Sequence, residues 1–352
     1  GCGRMGAFTS ESVKENSPKC WLPLSHMEAL ISCPDTFLAS ICDTDPTLLR
    51  EAKDKYDIDN YFNDHLEMLK IIKPELVCVA TRTMERTGII KDAINAGVKA
   101  VHLEKPICNS MEQLEELSKL TTEKNISLTY GTIRRYLRIY KIAKDILDSN
   151  ELGDLHQIEV NFGPAKLFWA HPHSVDIILF FAGQRQLTSV KANLSDVVLS
   201  NEKELISSDP LVQNADLYFD DGCLGKISSN LGMDVILSCS KGRISIQADG
   251  KRIVVQDLDK SRAYLNYPGK VIKLEDGKPE GTMAAIECLV KQLRHGTNSS
   301  NESFDFDKKH IFTSQLALFG FVQSHIDGGL LTPIDKIRPT INILARSGKL
   351  YA

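Results

Sequence analysis

With 352 residues, 42% of them hydrophobic, the chain is longer than one ordinary domain and apolar enough to fill the cores of two. A net charge of −4 and an isoelectric point near 6.2 give no basic footprint for nucleic acid or an anionic membrane, and no apolar run reaches membrane-spanning length. Nine cysteines, an odd number without C-x-x-C spacing and several of them in apolar runs, read as reduced thiols of a cytoplasmic protein. His171-Pro172-His173 is a lone histidine pair, so no metal site is expected.

The first hexad, Gly1-Cys2-Gly3-Arg4-Met5-Gly6, has the spacing G-x-G-x-x-G. Such glycines permit a tight turn, approach of a dinucleotide pyrophosphate to bare backbone, and close packing of a helix on its strand. The phosphates would meet the N–H groups at that helix's N-terminus. Gly1, Gly3, Arg4, Met5 and Gly6 are therefore candidate cofactor contacts. The motif requires a strand before Gly1, so the sequence is expected to lack its natural N-terminus and the first strand of its sheet.

Residues 36–43 read as a buried strand ending in an acid, followed by a helix over 46–55. Asp43 is the candidate ligand of a ribose 2′-hydroxyl. The alternative is that it caps the helix, with Thr44 and Asp45 as rivals. Its distance from the glycines exceeds the usual spacing of about twenty residues, which predicts an insertion over 10–24 (SESVKENSPKCWLPL).

Residues 75–81 form a continuous apolar run, as a buried parallel strand should. An amphipathic helix over 89–96 closes on Gly97, and 98–104 is the next strand, ending at Lys105-Pro106. This alternation predicts an α/β Rossmann domain with a doubly wound parallel sheet over 1–130. Ligands lie at the C-terminal ends of such strands, which makes Thr81, Arg82, Glu104 and Lys105 further cofactor candidates.

Beyond residue 130 the pattern changes. Strand-like runs at 155–162, 189–199, 215–219, 223–230, 235–239, 243–247 and 252–256 are linked by turns such as Asp220-Asp221-Gly222 and Lys241-Gly242. Helices are expected over 281–295, 308–326 and within 340–345, with an exposed loop over 296–303. Residues 131–352 thus read as an α+β domain with an open, mostly antiparallel sheet, for substrate binding and assembly. Val190, Ala192 and Leu194 put apolar side chains on one face, expected to be buried in a homodimer or homotetramer.

Taken in order, the hexad, the acid after the second strand and Glu104-Lys105-Pro106 resemble the glucose–fructose oxidoreductase, inositol dehydrogenase and MocA family. The resemblance covers most of the chain. Arg134-Arg135-Tyr136 with residues 142–153 resembles the family's link into its second domain, and His173-Ser174-Val175-Asp176 before 177–183 resembles its H-x-x-D helix. It implies an NAD(P)-dependent oxidoreductase that moves a hydride between nicotinamide and a secondary hydroxyl or ketone of a sugar, polyol or sugar-derived acid.

A lysine at such a strand end can hydrogen-bond the reacting oxygen, with Glu104 orienting it, and a histidine can exchange the hydroxyl proton. Lys105 and His173 are accordingly the candidate catalytic pair; the plain alternative for Lys105 is a solvated charge. In the family an aspartate four residues before the histidine usually completes the site, but here that position is Trp169. Either His171 replaces it, or Lys105 and His173 act alone, or the chemistry has changed. The stretch 161–170 is also shorter than the family's approach to this helix, so a substrate-covering loop is expected to be absent.

Arg135, Tyr136, Trp169, His171 and Asp176 are candidate substrate contacts. NAD is expected over NADP because Asp43 would repel a 2′-phosphate; Arg4 keeps NADP open. The family often has Pro after Thr81 and His near 86, where this chain has Arg82 and Arg86. Arg82, Arg135 and Arg138 form either a positive pocket for a carboxylate or phosphate, or surface pairs with local acids. A second class of function is a catalytically weakened, cofactor-binding regulator or scaffold, which Trp169 favours and Lys105 and His173 oppose.

Overall fold

A computed structural model of the chain describes residues 1–200, 205–274, 278–295 and 302–344. They form two units, Gly1–Tyr136 with Lys278–Ile311 and Leu137–Gly277 with Phe312–Ala345.

The first unit begins with the glycine hexad. Ala7 N–H closes a single helical turn on Gly3 O at 2.7 Å, and the chain then leaves on an excursion holding α1 (Glu11–Asn16) and a 3-10 turn, Lys19–Trp21. It returns at α2 (His26–Ser32), where His26 and Met27 N–H donate to Met5 O and Gly6 O at 2.8 and 2.9 Å. The insertion expected over 10–24 is therefore a loop pulled out of one interrupted helix.

β1 (Ile41–Cys42) pairs in parallel with β2 (Tyr61–Phe62). Between them lies α3 (Pro46–Tyr56), with Pro46 at its first turn and Asp45 accepting the Thr47 and Leu48 N–H groups. The expected strand over 36–43 shrinks to two residues. Among the described residues its only partner is the two-residue β2, so 36–40 have no ladder to join, and Phe37 is 86% exposed.

After α4 (His65–Ile72), the strands β3 (Leu76–Val79), β4 (Ala100–Leu103) and β5 (Ser127–Tyr130) form a parallel sheet in that order. α5 (Thr83–Asn95) and α6 (Met111–Glu123) are the crossovers. Every residue of β4 is buried, as a central parallel strand requires. Gly97, at φ 98°, turns the chain out of α5 in a conformation that side chains disfavour.

The second unit carries a nine-stranded sheet. Its strands are β6 (Leu155–Asn161), β7 (Leu187–Ser195), β9 (Leu211–Phe219), β10 (Leu224–Ser228), β11 (Asp234–Cys239), β12 (Gly242–Gln247), β13 (Arg252–Asp257), β14 (Lys270–Ile272) and β15 (Thr332–Pro333). The order is β14-β13-β12-β11-β6-β10-β9-β7-β15, antiparallel throughout except for β6 with β10. α7 (Arg138–Asp148) and α8 (His171–Ala182) belong to this unit. A Cβ on Gly225 would lie 2.5 Å from an Ile178 methyl, so the missing side chain lets α8 settle on β10.

Three expectations for the second half are corrected. First, α9 (Gly281–His295), expected with the second-half elements, falls in the first unit. Ile286 and Val290 bury their side chains against Ala29 of α2 and Cys33 just after it, an apolar surface distant in sequence.

Second, Val190, Ala192 and Leu194 are buried within this chain rather than awaiting another copy. The covering helix is α10 (Glu302–Ile326): a Cβ on Gly320 would sit 2.6 Å from Val190, and Ser324 Oγ and His325 Nδ1 accept the Ala192 and Leu194 N–H groups. The outer face is mixed, carrying Lys191, Asn193, Glu159, Asp216 and Lys226 together with the half-buried Tyr218, Leu224, Ile236 and Val254.

Third, the helix expected within 340–345 is not formed: β16 (Asn342–Ile343) pairs in parallel with β8 (Leu205–Ile206). Ala345 lies outside the described residues. So does the expected loop over 296–303 as far as residue 301; Glu302 and Ser303 open α10.

No disulfide joins any of the cysteines among the described residues. Among the described residues no helix is long and apolar enough to cross a membrane, and no group of three or more His, Cys, Asp or Glu could hold a metal.

Candidate active site

The three glycines of the hexad differ in what surrounds them. A Cβ on Gly1 would lie 2.9 Å from Ala80 O at the end of β3, and one on Gly6 would lie 1.9 Å from Gly1 O. On Gly3 it would meet nothing within 4 Å, leaving bare backbone open to a ligand. Cys2 N–H and Asp45 N–H donate to the two Asp43 oxygens at 2.6 and 2.9 Å. Since Asp45 caps α3, Asp43 is left to brace the glycine loop.

Thr81 Oγ1 is buried with no hydrogen-bond partner among the described residues, beside the backbone that Gly1 touches. A bare loop and an orphaned hydroxyl fit a dinucleotide: Gly1, Gly3 and Gly6 would admit its pyrophosphate, with Asp43 and Thr81 near its sugar. Arg4 and Met5 are half-buried on the same turn, and Arg82 is exposed at the start of α5.

At the end of β4 lies Glu104, 5% exposed. Its Oε1 is 3.1 Å from His26 Nε2, and its Oε2 accepts the Lys105 N–H at 3.2 Å. A Cβ on Gly131 would press on this carboxylate from 2.9 Å. Burial pushes the Glu104 pKa up, but the His26 hydrogen bond and the charges of His26 and Lys105 outweigh it, leaving about 2. His102, two residues earlier on the same strand, meets His26 edge-on at 4.7 Å and shares a 2.9 Å hydrogen bond with Thr129. Burial, helped by His26, lowers its pKa to about 3, so this imidazole stays neutral.

Arg86 is neither in a substrate pocket nor paired on the surface. It is 3% exposed on the core side of α5, and its Nη1 donates to Glu104 O at 2.7 Å and to Pro106 O, while Nη2 donates to Thr81 O. Sequence reading did not assign this role. The available signal was a charge on the face shared by Thr83, Ile90 and Ala93, which must be buried and therefore bonded.

Arg135 and Tyr136 sit in a buried 3-10 turn, Ile133–Tyr136, following β5. Arg135 is 2% exposed, which removes the surface-pair reading for it. In the same turn the Arg134 guanidinium lies 4.5 Å over the Trp21 ring.

In the second unit, α8 separates the two histidines. His171 is fully buried, bonded to Ser174 Oγ at 3.0 Å, and burial lowers its pKa to about 4. His173 is half-buried, one turn from the fully buried Asp176. The Asp209 carboxylate accepts the Phe168 and Trp169 N–H groups at 2.8 and 3.1 Å. With Leu167 N–H on Pro210 O and Val212 N–H on Ala165 O, it stitches the approach to α8 onto the start of β9. Nothing local in the sequence marked Asp209. Trp169, half-buried, stands on this stitched segment, and Arg138 is half-buried at the start of α7.

Residues 1–132 match the family described as oxidoreductases with an NAD-binding Rossmann fold. Myo-inositol 2-dehydrogenase of Thermotoga maritima is 26% identical over 137 residues, 38% of this chain and 40% of that protein. The chain thus aligns with well under half the length of this curated relative.

Two solved structures share the fold across both units. An oxidoreductase from Agrobacterium radiobacter, in complex with NAD+, L-tartaric acid and magnesium, superposes with a TM-score of 0.66 at 16% identity, covering 89% of this chain and 95% of that one. An inositol dehydrogenase homolog from Azotobacter vinelandii, complexed with NADH and myo-inositol, gives 0.65 at 16% identity, covering 83% and 88%. The glycine loop, its bracing acid and the Glu104-Lys105-Pro106 strand end all lie inside residues 1–132, the segment that matches the GFO_IDH_MocA oxidoreductases and has their NAD-binding Rossmann fold.

Proposed function

We propose that the chain is an NAD-dependent dehydrogenase or reductase acting on a secondary hydroxyl or ketone of a sugar, polyol or sugar-derived acid. The observation that carries this reading is the placement of Lys105. Its backbone is held between the Glu104 carboxylate and Arg86 at the end of β4, in the unit whose bare Gly3 backbone and orphaned Thr81 hydroxyl fit the dinucleotide. Bound NAD would accept or return the hydride. The Lys105 ammonium would hydrogen-bond the substrate oxygen as its charge changes, and His173 would take or give the hydroxyl proton. His171 suits that task less well, being buried and held neutral. Inositol and tartaric acid, bound by two structural relatives, are a polyol and a hydroxy acid of the class proposed.

The test is to follow reduced nicotinamide absorbance with NAD or NADH over a panel of polyols, sugars, sugar acids and their ketones. Turnover of any member supports the reading. Tight NAD binding with no turnover across the panel would instead favour a cofactor-binding regulator, the reading that Trp169 keeps open. We further propose a homodimer or homotetramer built through the outer sheet face that carries Lys191, Asp216 and Lys226. A monomer by light scattering at micromolar concentration would refute the assembly.

A further inference from the structure

We propose that Arg86 is a positioning residue for Lys105: one buried guanidinium ties the carbonyls on either side of the lysine to the end of the neighbouring strand. The proposal rests on the reading of Lys105 as the residue that meets the substrate oxygen.

The sheet itself cannot hold this segment. Its ladder ends where Glu104 N–H donates to Val79 O and Gly131 N–H donates to Leu103 O. Beyond that point the chain turns through Lys105-Pro106, and a proline offers no N–H. The carbonyls of Thr81, Glu104 and Pro106 would be left without ladder partners, and a buried carbonyl without a partner is costly. Arg86 reaches all three from α5, while the Glu104 carboxylate takes the Lys105 N–H. The peptide groups around Lys105 are thus set by two buried charged side chains.

Arginine is the residue suited to this task. Its planar fork presents five donors in fixed directions, whereas a lysine ammonium is a compact charge that could reach at most part of the set. A buried cation also contributes little net stability compared with a well-packed apolar side chain. What it supplies here is geometry. Thr81 stands on the cofactor side and Lys105 on the reacting side, so the same guanidinium fixes the spacing between them.

The test uses the full chain with Arg86→Met, which keeps length and loses every donor, Arg86→Lys, and Arg86→Ala with added guanidinium ion. In Arg86→Met, amide hydrogen exchange over 103–107 should quicken about tenfold or more, the loss expected for one or two hydrogen bonds, while β5 and α6 keep their protection. Its kcat should fall roughly a hundredfold, as displacement of a reacting group by about 1 Å can do, with NAD Kd changed less than about threefold, too little to count as lost binding.

Arg86→Lys should lie between wild type and Arg86→Met. Guanidinium should restore kcat to Arg86→Ala. Normal exchange over 103–107 and normal kcat in Arg86→Met would overturn the proposal. So would a protection loss spread over the whole first unit with no guanidinium rescue, since that marks a core residue only. Should Arg86→Met fail to fold, Arg86→Lys and the rescue decide by the same criteria. A wild-type chain that turns nothing over sinks the reading of Lys105 instead, a result told apart by the wild-type assay alone.

Discussion

Gly3 and Gly6 lie three residues apart, and the structure separates what an added methyl would do at each. On Gly6 the Cβ would stand 1.9 Å from Gly1 O and 2.8 Å from Gly1 C. Both atoms are backbone, so the loop itself must move. Overpacking of this kind costs about 1–3 kcal/mol, and the severity here argues for the upper half of that range. For a unit of this size the loss corresponds to a drop in Tm of roughly 5–10 °C.

On Gly3 the Cβ would meet no protein atom within 4 Å. Gly3→Ala should therefore leave Tm within about 2 °C of wild type, since a surface change free of contacts is worth about 0.5 kcal/mol or less. The methyl would nevertheless occupy the backbone face where the pyrophosphate must approach. NAD Kd should rise about 10- to 100-fold, equivalent to roughly 1.4–2.8 kcal/mol. Calorimetric unfolding and NAD titration of both variants decide the matter. If Gly3→Ala binds NAD as wild type does, the pyrophosphate does not cross Gly3 and the assignment of the loop fails.

Lys105→Ala should lower kcat by roughly two to four orders of magnitude with little change in NAD Kd. His173→Ala should lower kcat and shift its pH profile, while His171→Ala should chiefly destabilise the second unit; the reverse pattern in steady-state kinetics would transfer the proton role to His171. Wild type should bind NAD more tightly than NADP, and Asp43→Asn should narrow the ratio about tenfold or more as the charge facing a 2′-phosphate is removed; tighter NADP binding by wild type would refute the assignment of Asp43. Acid should destabilise the first unit in two overlapping ranges. His102 stays neutral down to about pH 3 while the unfolded chain takes up its proton near 6.5, so its contribution declines across that span. Glu104, held near 2 against 4.5 unfolded, contributes fully above 4.5 and declines below it. Each is worth on the order of a few kcal/mol, and a Tm-versus-pH series in which His102→Gln does not flatten the 6.5–4.5 limb would disprove the first term.

Features carried by short motifs were legible in the sequence: the glycine hexad, Asp43, the Glu104-Lys105-Pro106 strand end and the helix of His173 and Asp176 all occupy the elements their spacing implied. What escaped reading depends on partners far along the chain. The alternation at Val190, Ala192 and Leu194 reports an apolar face, but not what covers it, and here the cover is α10 from the same chain. The pattern of α9 identifies a helix, yet nothing local says that it packs on α2. Arg86 and His26 were hidden for another reason. Their bonds go to backbone carbonyls and to a carboxylate at the turn after β4, and spacing along the chain does not encode that geometry. For six residues such as 340–345, helical and extended periods cannot be told apart, and pairing with β8 decided the outcome.

The excursion between the hexad and α2 explains why one departure from the usual spacing leaves the motif intact. His26 donates to Met5 O and Met27 to Gly6 O, which are the bonds that residues 9 and 10 would make in an unbroken helix. With the excursion removed, Asp43 falls about twenty residues after the hexad, the ordinary interval for a ribose-binding acid. The excursion also acquires a structural partner of its own. The first turn of any helix has N–H groups with no intrahelical acceptor, and at α9 the returning segment of the excursion meets two of them: Glu280 N–H donates to Cys20 O and Thr282 N–H to Pro23 O, while Thr282 Oγ1 donates to Leu24 O. Gly281 is needed there because a Cβ would stand 2.3 Å from Trp21 O. α9 in turn packs on α2, the helix that resumes after the excursion and brings His26 to Glu104. The inserted residues are therefore fixed at both ends by the elements that hold the end of β4, so a change in the excursion can reach Lys105 through His26 and Glu104 without touching any ligand.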